Sequence, residues 1–260
     1  MNYSTIRWNK TGDKARIFLH RPEVYNAINI SMLQELADAF QRAENDPEVK
    51  VIILAGSGKG FCAGQDLSAV GDTRSIDAGE IIVKYYEPVV KAIVQNKKAV
   101  IGKLHGKAAG AGMALLLACD TIIAAQSAVL VPGFCQIGLM PDSGITYFLL
   151  KSLGPKLTFE LLVAGEHLDA TRAKELRCIN QVVSDDTLDE VVDSFSDKIA
   201  AGPGKVIAML KELINQGGQA SLDEVIRVEA AMQTIAARSL DFEEGVRAFK
   251  EKRLPRFLGL

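Results

Sequence analysis

Ten consecutive residues, Gly110-Ala-Gly-Met-Ala-Leu-Leu-Leu-Ala-Cys119, carry no charge and almost no polarity. A helix that is apolar all round has no face to offer to water, so this segment predicts a buried helix with a glycine-rich N-terminus. Around it acid is scarce: between Ile101 and Leu150 the only acidic residues are Asp120 and Asp142. Asp142 follows a glycine-containing stretch that can hold a carbonyl substrate, which suggests chemistry built on one carboxylate base and backbone N–H groups.

The 260 residues suit one large domain, or one domain with a helical appendix. Apolar residues make up 48% of the chain and charged residues 24%, which excludes disordered and fibrous classes. A net charge of -2 leaves no basic footprint for nucleic acid. The start, Met1 to Trp8, shows no basic region followed by an apolar run and a cleavage site, and no apolar stretch is long enough to span a bilayer, so a cytoplasmic location without membrane partners is expected. The four cysteines, Cys62, Cys119, Cys135 and Cys178, have neither metal-ligand nor disulfide-framework spacing and read as buried small thiols, with no metal expected.

Strand character is read at Ala15–Leu19, Val51–Leu54, Val100–Gly102 with Leu104, Thr121–Ala124 and Val129–Val131. Helical spacing follows Ser31, the expected N-cap, through Met32, Leu36 and Phe40 to the Asn45-Asp46-Pro47 stop, and again from Ile81 to Val94. After Ser184-Asp-Asp-Thr187 the pattern turns to amphipathic helices over 188–199, 203–216, 221–238 and 242–253. These divide the chain into a core over 1–198 and a helical region over 199–260, whose apolar faces are expected to dock on a neighbouring subunit.

Two glycine-rich loops, Gly58 to Gly64 and Gly106 to Gly112, each bring bare N–H groups within reach of a ligand, and two such donors make an oxyanion hole. Either loop alone is equally a tight glycine packing. Gly56-Ser-Gly-Lys59 lacks the spacing of a phosphate loop, and Ser143 lacks the flanking glycine of a nucleophile elbow. Asp120 suits a cap or turn hydrogen bond. Asp142 is open to two roles, N-cap of a helix from Ile145 to Leu150 or catalyst.

Taken together, His20-Arg-Pro-Glu-Val-Tyr-Asn-Ala-Ile-Asn29, Gly60-Phe-Cys-Ala-Gly-Gln-Asp-Leu67, Gly106-Lys-Ala-Ala-Gly-Ala-Gly112 and Ile137-Gly-Leu-Met-Pro-Asp-Ser-Gly144 resemble the enoyl-CoA hydratase/isomerase (crotonase) superfamily, in order and over essentially the whole chain. Glu244-Gly-Val-Arg-Ala-Phe249 and Glu251-Lys-Arg253 match as well. The resemblance implies an α/β fold, a spiral of β-β-α turns with a C-terminal helical trimerisation region, in trimers that commonly pair into hexamers. It implies an acyl-CoA thioester as ligand, with no cofactor beyond the coenzyme A of the substrate.

By the same resemblance the thioester oxygen would lie between the N–H groups of Gln65 and Ala111. Ala63-Gly64-Gln65-Asp66-Leu67 would contact adenine and pantetheine, and Phe249 and Lys252 would complete the CoA site of a neighbouring subunit. The two glutamates of family hydratases fall on Ala114 and Phe134, which can neither hold water nor move a proton. That leaves Asp142, whose position matches the aspartate of ring-1,2-epoxyphenylacetyl-CoA isomerases, the branch this wording looks most like. The implied activity is an isomerase acting on a 3-enoyl-CoA or on the ring epoxide of phenylacetyl-CoA. Two rivals stand beside it: a nucleophilic Asp142, as in 4-chlorobenzoyl-CoA dehalogenases, and a non-catalytic acyl-CoA-binding subunit. Walls of the acyl pocket are expected between Asp72 and Tyr86, with Tyr85 and Tyr86 either lining it or packing a helix.

Overall fold

The computed structural model describes residues 3–69, 77–218 and 220–259, so the stretch 72–76 of the expected pocket wall lies outside the described residues. A hairpin of β1 (Ile6–Thr11) and β2 (Lys14–Leu19) opens the chain. α1 (Ile30–Asn45) then crosses to β3 (Val51–Gly56), which pairs parallel to β2 from Lys14↔Val51 to Leu19↔Gly56. Every residue of β3 is buried, as befits a strand covered on both faces.

The helix expected over 81–94 is three pieces: α2 (Ala78–Ile81), one π-turn (Ile82–Tyr86) and α3 (Glu87–Val94). Next come β4 (Ala99–Leu104), β5 (Lys107–Ala109), α4 (Ala111–Leu117), β6 (Thr121–Ala125), β7 (Val129–Val131) and α5 (Ile145–Ala164). In each turn the first strand joins one sheet and the second strand joins another before the helix returns. β8 (Leu168–Asp169), α6 (Ala170–Glu175) and β9 (Gln181–Val183) complete the two sheets, ordered β1-β2-β3-β4-β6-β9 and β5-β7-β8. The longer sheet is parallel apart from its opening hairpin. As the composition of Gly110–Cys119 requires, α4 sits at the centre, with its first six residues all buried.

α1 starts earlier than its hydroxyl suggests. Asn29, not Ser31, is the N-cap: its side-chain oxygen accepts from the Met32 N–H at 2.9 Å, while Met32, Leu33, Leu36 and Phe40 fill the core. α5 extends well past Leu150 and bends at Gly154-Pro155, where Gly154 leaves helical geometry at φ 70° and the proline has no N–H to give.

α7 (Leu188–Ala200) packs on β3, β4 and β6 and so runs across the expected division at 198/199. α8 (Gly204–Gly217), α9 (Leu222–Ala236) and α10 (Leu240–Glu251) form the C-terminal region. One buried ammonium fastens it: Lys211 on α8 donates to the carbonyls of Ile93 at 2.9 Å and Lys98 at 3.1 Å, and pairs with Asp120 at 2.7 Å. Asp120 also accepts the Val100 N–H at 2.7 Å, so its role is a fastening between strands and the terminal helices. By contrast α9 buries none of its residues, and Leu222, Ile226, Phe242 and Phe249 are exposed in the single chain.

Lys211→Met removes the buried cation, leaving two carbonyls without its donated hydrogen bonds and Asp120 without its counter-charge. Urea denaturation should show a loss of about 3 kcal/mol, the scale of breaking one side of a buried ion pair. A change within about 0.5 kcal/mol, ordinary for a surface substitution, would dismiss the fastening role.

Candidate active site

The first glycine loop leaves β3 and folds back against α4 through a single buried amide. Asn26, fully buried and in the left-handed region at φ 57°, donates from its side-chain nitrogen to the carbonyls of Ser57 at 2.8 Å, Gly60 at 3.0 Å and Phe61 at 3.1 Å. Its side-chain oxygen accepts the Arg21 N–H, and its own carbonyl accepts the Cys62 thiol at 3.1 Å. Burial pushes that thiol up to about 12, so it stays protonated and structural. Cys62 and Cys178 are buried as expected, whereas Cys119 is half-buried and Cys135, on the helical turn before Ile137, is exposed.

Beyond Cys62 the chain makes a one-residue parallel bridge with Ile28, in which the Gly64 carbonyl accepts from Ile28 at 2.7 Å and the Asp66 N–H donates back at 2.8 Å. The groups of Gln65 itself therefore point away from Ile28, and its N–H has no hydrogen-bond partner among the described residues. The second donor stands beside it. A Cβ on Gly64, whose φ is +91°, would meet the Ala109 carbonyl oxygen at 3.0 Å and the Ala111 nitrogen at 3.7 Å, so the two loops touch at a point only glycine permits. Gly112 meets the same requirement one turn on, where a Cβ would fall 2.6 Å from the Cys62 sulfur. Ala111 is the first residue of α4, and its N–H, like that of Gln65, is unspent among the described residues.

The sequence-read site residues fall into two groups. Ala63, Gly64, Gln65, Leu67 and Ala111 come together along this seam, with Ala63 and Leu67 exposed. Asp66 lies there too, but its side chain is turned inward and only 5% exposed: it pairs with Arg21 at 2.7 Å and accepts from the Ser68 hydroxyl at 2.6 Å, while its N–H is taken by the Ile28 carbonyl. Phe249 and Lys252 sit at the far end of α10, the former 85% exposed, and are not brought to the seam within this chain. Ala114 and Phe134 are buried, and the Phe134 ring lies 3.9 Å from where a Cβ on Gly110 would stand. Both positions that the resemblance aligns with hydratase glutamates thus carry buried apolar side chains.

Asp142 caps no helix. Gly144 takes the N-cap position of α5, and among the described residues the one hydrogen bond from the helix start to Asp142 goes to its backbone carbonyl, which accepts the Ile145 N–H at 3.1 Å. Its half-buried carboxylate accepts a single hydrogen bond among the described residues, from the Ser143 hydroxyl at 2.8 Å. Ser143 is held buried in the left-handed region at φ 53°, which aims that hydroxyl back along the loop. Burial raises the Asp142 pKa above the ordinary aspartate value, and the Ser143 hydroxyl opposes the rise. The same loop leans on α3, since a Cβ on Gly144 would be 3.8 Å from Val90.

Tyr86, on the π-turn, is one of the two tyrosines expected either to line the pocket or to pack a helix, and it is buried with its hydroxyl on Gln65. It is 3% exposed, its hydroxyl donates to the side-chain oxygen of Gln65, and burial followed by the charge of Asp142 pushes its ionisation far above the usual phenol range. Among the described residues no group of three acidic, histidine or cysteine side chains is placed to hold a metal, and no helix is long and apolar enough to cross a membrane. A larger hollow of about 930 Å³ lies between α10 and the tail, walled by Asp241, Glu244, Arg247 and Arg253. Its charges are already matched, for Glu244 takes both arginines and Asp241 accepts the N–H groups of Leu258 and Gly259.

Paired parallel strands stepping into two sheets, with a central helix opened by glycine, define a crotonase-type α/β fold. The crystal structure of an enoyl-CoA hydratase from Mycobacterium smegmatis superposes with a TM-score of 0.92 at 30% identity, over 98% of this chain and 99% of its own. A family profile described as enoyl-CoA hydratase/isomerase matches residues 12–259, and the chain belongs to that family. It is similar to a "Probable enoyl-CoA hydratase" of Rhodobacter capsulatus, 38% identical over all of both chains. It is equally similar to a 1,2-epoxyphenylacetyl-CoA isomerase of Escherichia coli, 38% identical over 93% of each.

The raised pKa of Asp142 has a consequence for stability. The folded chain binds this proton more readily than the unfolded chain, so the penalty on the carboxylate grows as pH rises from the ordinary value of 3.8 through the raised one and is complete above it. Asp142→Asn, neutral throughout, should melt at a higher temperature than wild type near neutral pH, and this advantage should vanish below 3.8. Calorimetry showing no advantage near neutrality would mean that the carboxylate is not desolvated.

Proposed function

We propose that the protein is an acyl-CoA isomerase in which the N–H groups of Gln65 and Ala111 hold the thioester oxygen and Asp142 moves one proton between carbons. The observation that carries this reading is the coincidence of two unspent backbone donors with a desolvated carboxylate that has no structural task. Donors aimed at a developing oxyanion stabilise an enolate far more than the neutral thioester, which acidifies the carbon next to the carbonyl or, through a conjugated double bond, the γ-carbon. Asp142 takes that proton with the electron pair passing to the enolate oxygen. It then returns the same proton at another carbon as the carbonyl reforms, so atoms and charge balance without water or cofactor. A carboxyl with a raised pKa is suited to both halves of the step.

Hydration is disfavoured because it needs one group to activate water and another to deliver a proton, and Ala114 and Phe134 supply neither. A nucleophilic Asp142 would form an ester that needs a base-activated water to clear it, and the same apolar closure leaves that water without a holder. The relative named 1,2-epoxyphenylacetyl-CoA isomerase supports a ring epoxide as substrate, with a linear 3-enoyl thioester as the alternative within the same chemistry. The exposed Phe249 at the end of α10 supports a CoA site shared between subunits of a trimer or a pair of trimers.

Asp142→Asn should keep CoA affinity while isomerisation falls at least about 10²-fold, the lower end for a positioned acid–base group. The assay is turnover of ring-epoxide and 3-enoyl thioesters with identification of products, and near wild-type turnover removes Asp142 from the mechanism. Lys252→Ala should weaken CoA severalfold with the oligomer intact, while truncation after Arg238 should lower oligomer size and CoA affinity together. Light scattering and calorimetry decide it: a truncated chain that assembles and binds CoA normally sinks the shared site.

A further inference from the structure

Of the five residues in the π-turn only Tyr86 is buried; its hydroxyl is bonded to Gln65 and it lies within reach of the charge of Asp142. The turn is widened by one residue, since the N–H of Glu87 reaches back to the carbonyl of Ile82 rather than to that of Val83. Such widened turns recur where a helix must deliver a side chain to a functional position. Here the delivered group is a hydroxyl whose one partner among the described residues is the Gln65 side chain. One helical turn further, Val90 packs toward Gly144, so the same helix also backs the loop that carries Asp142.

Gln65 needs such a support. The peptide that carries its N–H is fixed at one end, where the Gly64 carbonyl accepts from Ile28 at 2.7 Å. Gly64 itself, at φ +91°, has no side chain to lock that peptide, and Ala63 beside it is exposed. The following peptide is held by the Asp66 N–H, which donates to the Ile28 carbonyl at 2.8 Å, and among the described residues the one hydrogen bond on the Gln65 side chain comes from Tyr86. A buried phenol placed there must also keep its partner, because losing it would strand a polar group away from water.

We propose that Tyr86 is a positioning residue for the thioester site, its hydroxyl fixing the Gln65 side chain and thereby the direction of the Gln65 N–H toward the thioester oxygen. The inference rests on the acyl-CoA reading above and assigns Tyr86 no proton to move. Its hydroxyl hydrogen is committed to Gln65, and burial beside Asp142 keeps the phenol un-ionised.

The test uses the full-length chain and 4-dimethylaminocinnamoyl-CoA, a non-isomerisable thioester whose absorption moves to the red when its carbonyl is polarised by N–H donors. Wild type, Tyr86→Phe, Gln65→Ala and the double variant are compared, with thermal melting to establish folding. Tyr86→Phe should bind the probe with little change in affinity but lose much of the red shift. With an isomerisable substrate its kcat should fall about tenfold at nearly constant KM, less than the loss on deleting an oxyanion donor outright because the donor is displaced and not removed. The double variant should be no worse than Gln65→Ala alone, since both act on one contact. A full red shift in folded Tyr86→Phe, with wild type active as an isomerase, overturns the inference and leaves the isomerase reading standing. A wild-type red shift that Tyr86→Phe loses, with no thioester isomerised by either, sustains the inference and overturns the isomerase reading. A wild type that neither binds nor polarises the probe overturns both.

Discussion

Three carbonyl oxygens, those of Ser57, Gly60 and Phe61, converge on the side-chain nitrogen of Asn26, and no strand or helix is available to take them. A buried carbonyl left without a donor costs about 1–3 kcal/mol, so the loop after β3 has one stable course, the one that passes over this amide. From that course follow the seating of Cys62 against Gly112, the contact of Gly64 with Ala109 and Ala111, and the juxtaposition of the two free N–H groups. Arg21, just past the end of β2, closes the same knot by bonding the Ala27 carbonyl and Asp66. The site is thus held by its backbone, and the ligand-facing side chains are left free to vary in chemistry.

What the chain's own letters disclose is uneven, and the reasons are physical. The central helix is legible because ten uncharged residues admit one environment, and α1 because Met32, Leu36 and Phe40 recur at helical spacing. The start of α1 is not, because Ser31 and Asn29 are both good caps and only the backbone, extended at Asn29, distinguishes them. β5, β8 and β9 have three residues or fewer, too few for any alternation to register, whereas the equally short β7 is legible as an all-apolar Val-Leu-Val run. The choice between cap and free carboxylate at Asp142 turns on Gly144 taking the cap position, a matter of φ angles two residues away. Asn26 gives no signal of role, since an amide that binds carbonyls looks like any other, and Tyr86 is legible as a choice between pocket wall and helix packing but not as the partner of Gln65, which only the π-turn sets. The family resemblance places Gln65 and Ala111, but the inward turn of Asp66 follows from Arg21, forty-five positions distant.

The closure of the site by Ala114 and Phe134 separates two uses of one scaffold. Backbone donors serve any reaction that passes through an enolate, and the identity of one or two side chains above them decides whether water enters. Here the two positions that the resemblance aligns with hydratase glutamates carry a buried methyl group and a buried phenyl ring. Burial also raises the pKa of Asp142, and a carboxylate so placed is expected to weaken the fold near neutrality. Instability and proton affinity at this residue are therefore two readings of the same burial.

The single hydroxyl of Ser143 has a stereochemical consequence. It occupies one oxygen of the Asp142 carboxylate, and a hydroxyl held by a buried, left-handed residue cannot easily let go. On the proposed mechanism one oxygen is left to collect the proton and to give it back, from one side of a flat enolate. The shift must then be suprafacial, with hydrogen leaving and arriving on the same face of the carbon skeleton. Because the same oxygen takes and returns the proton, part of an isotopic label on the departing carbon should travel with the molecule.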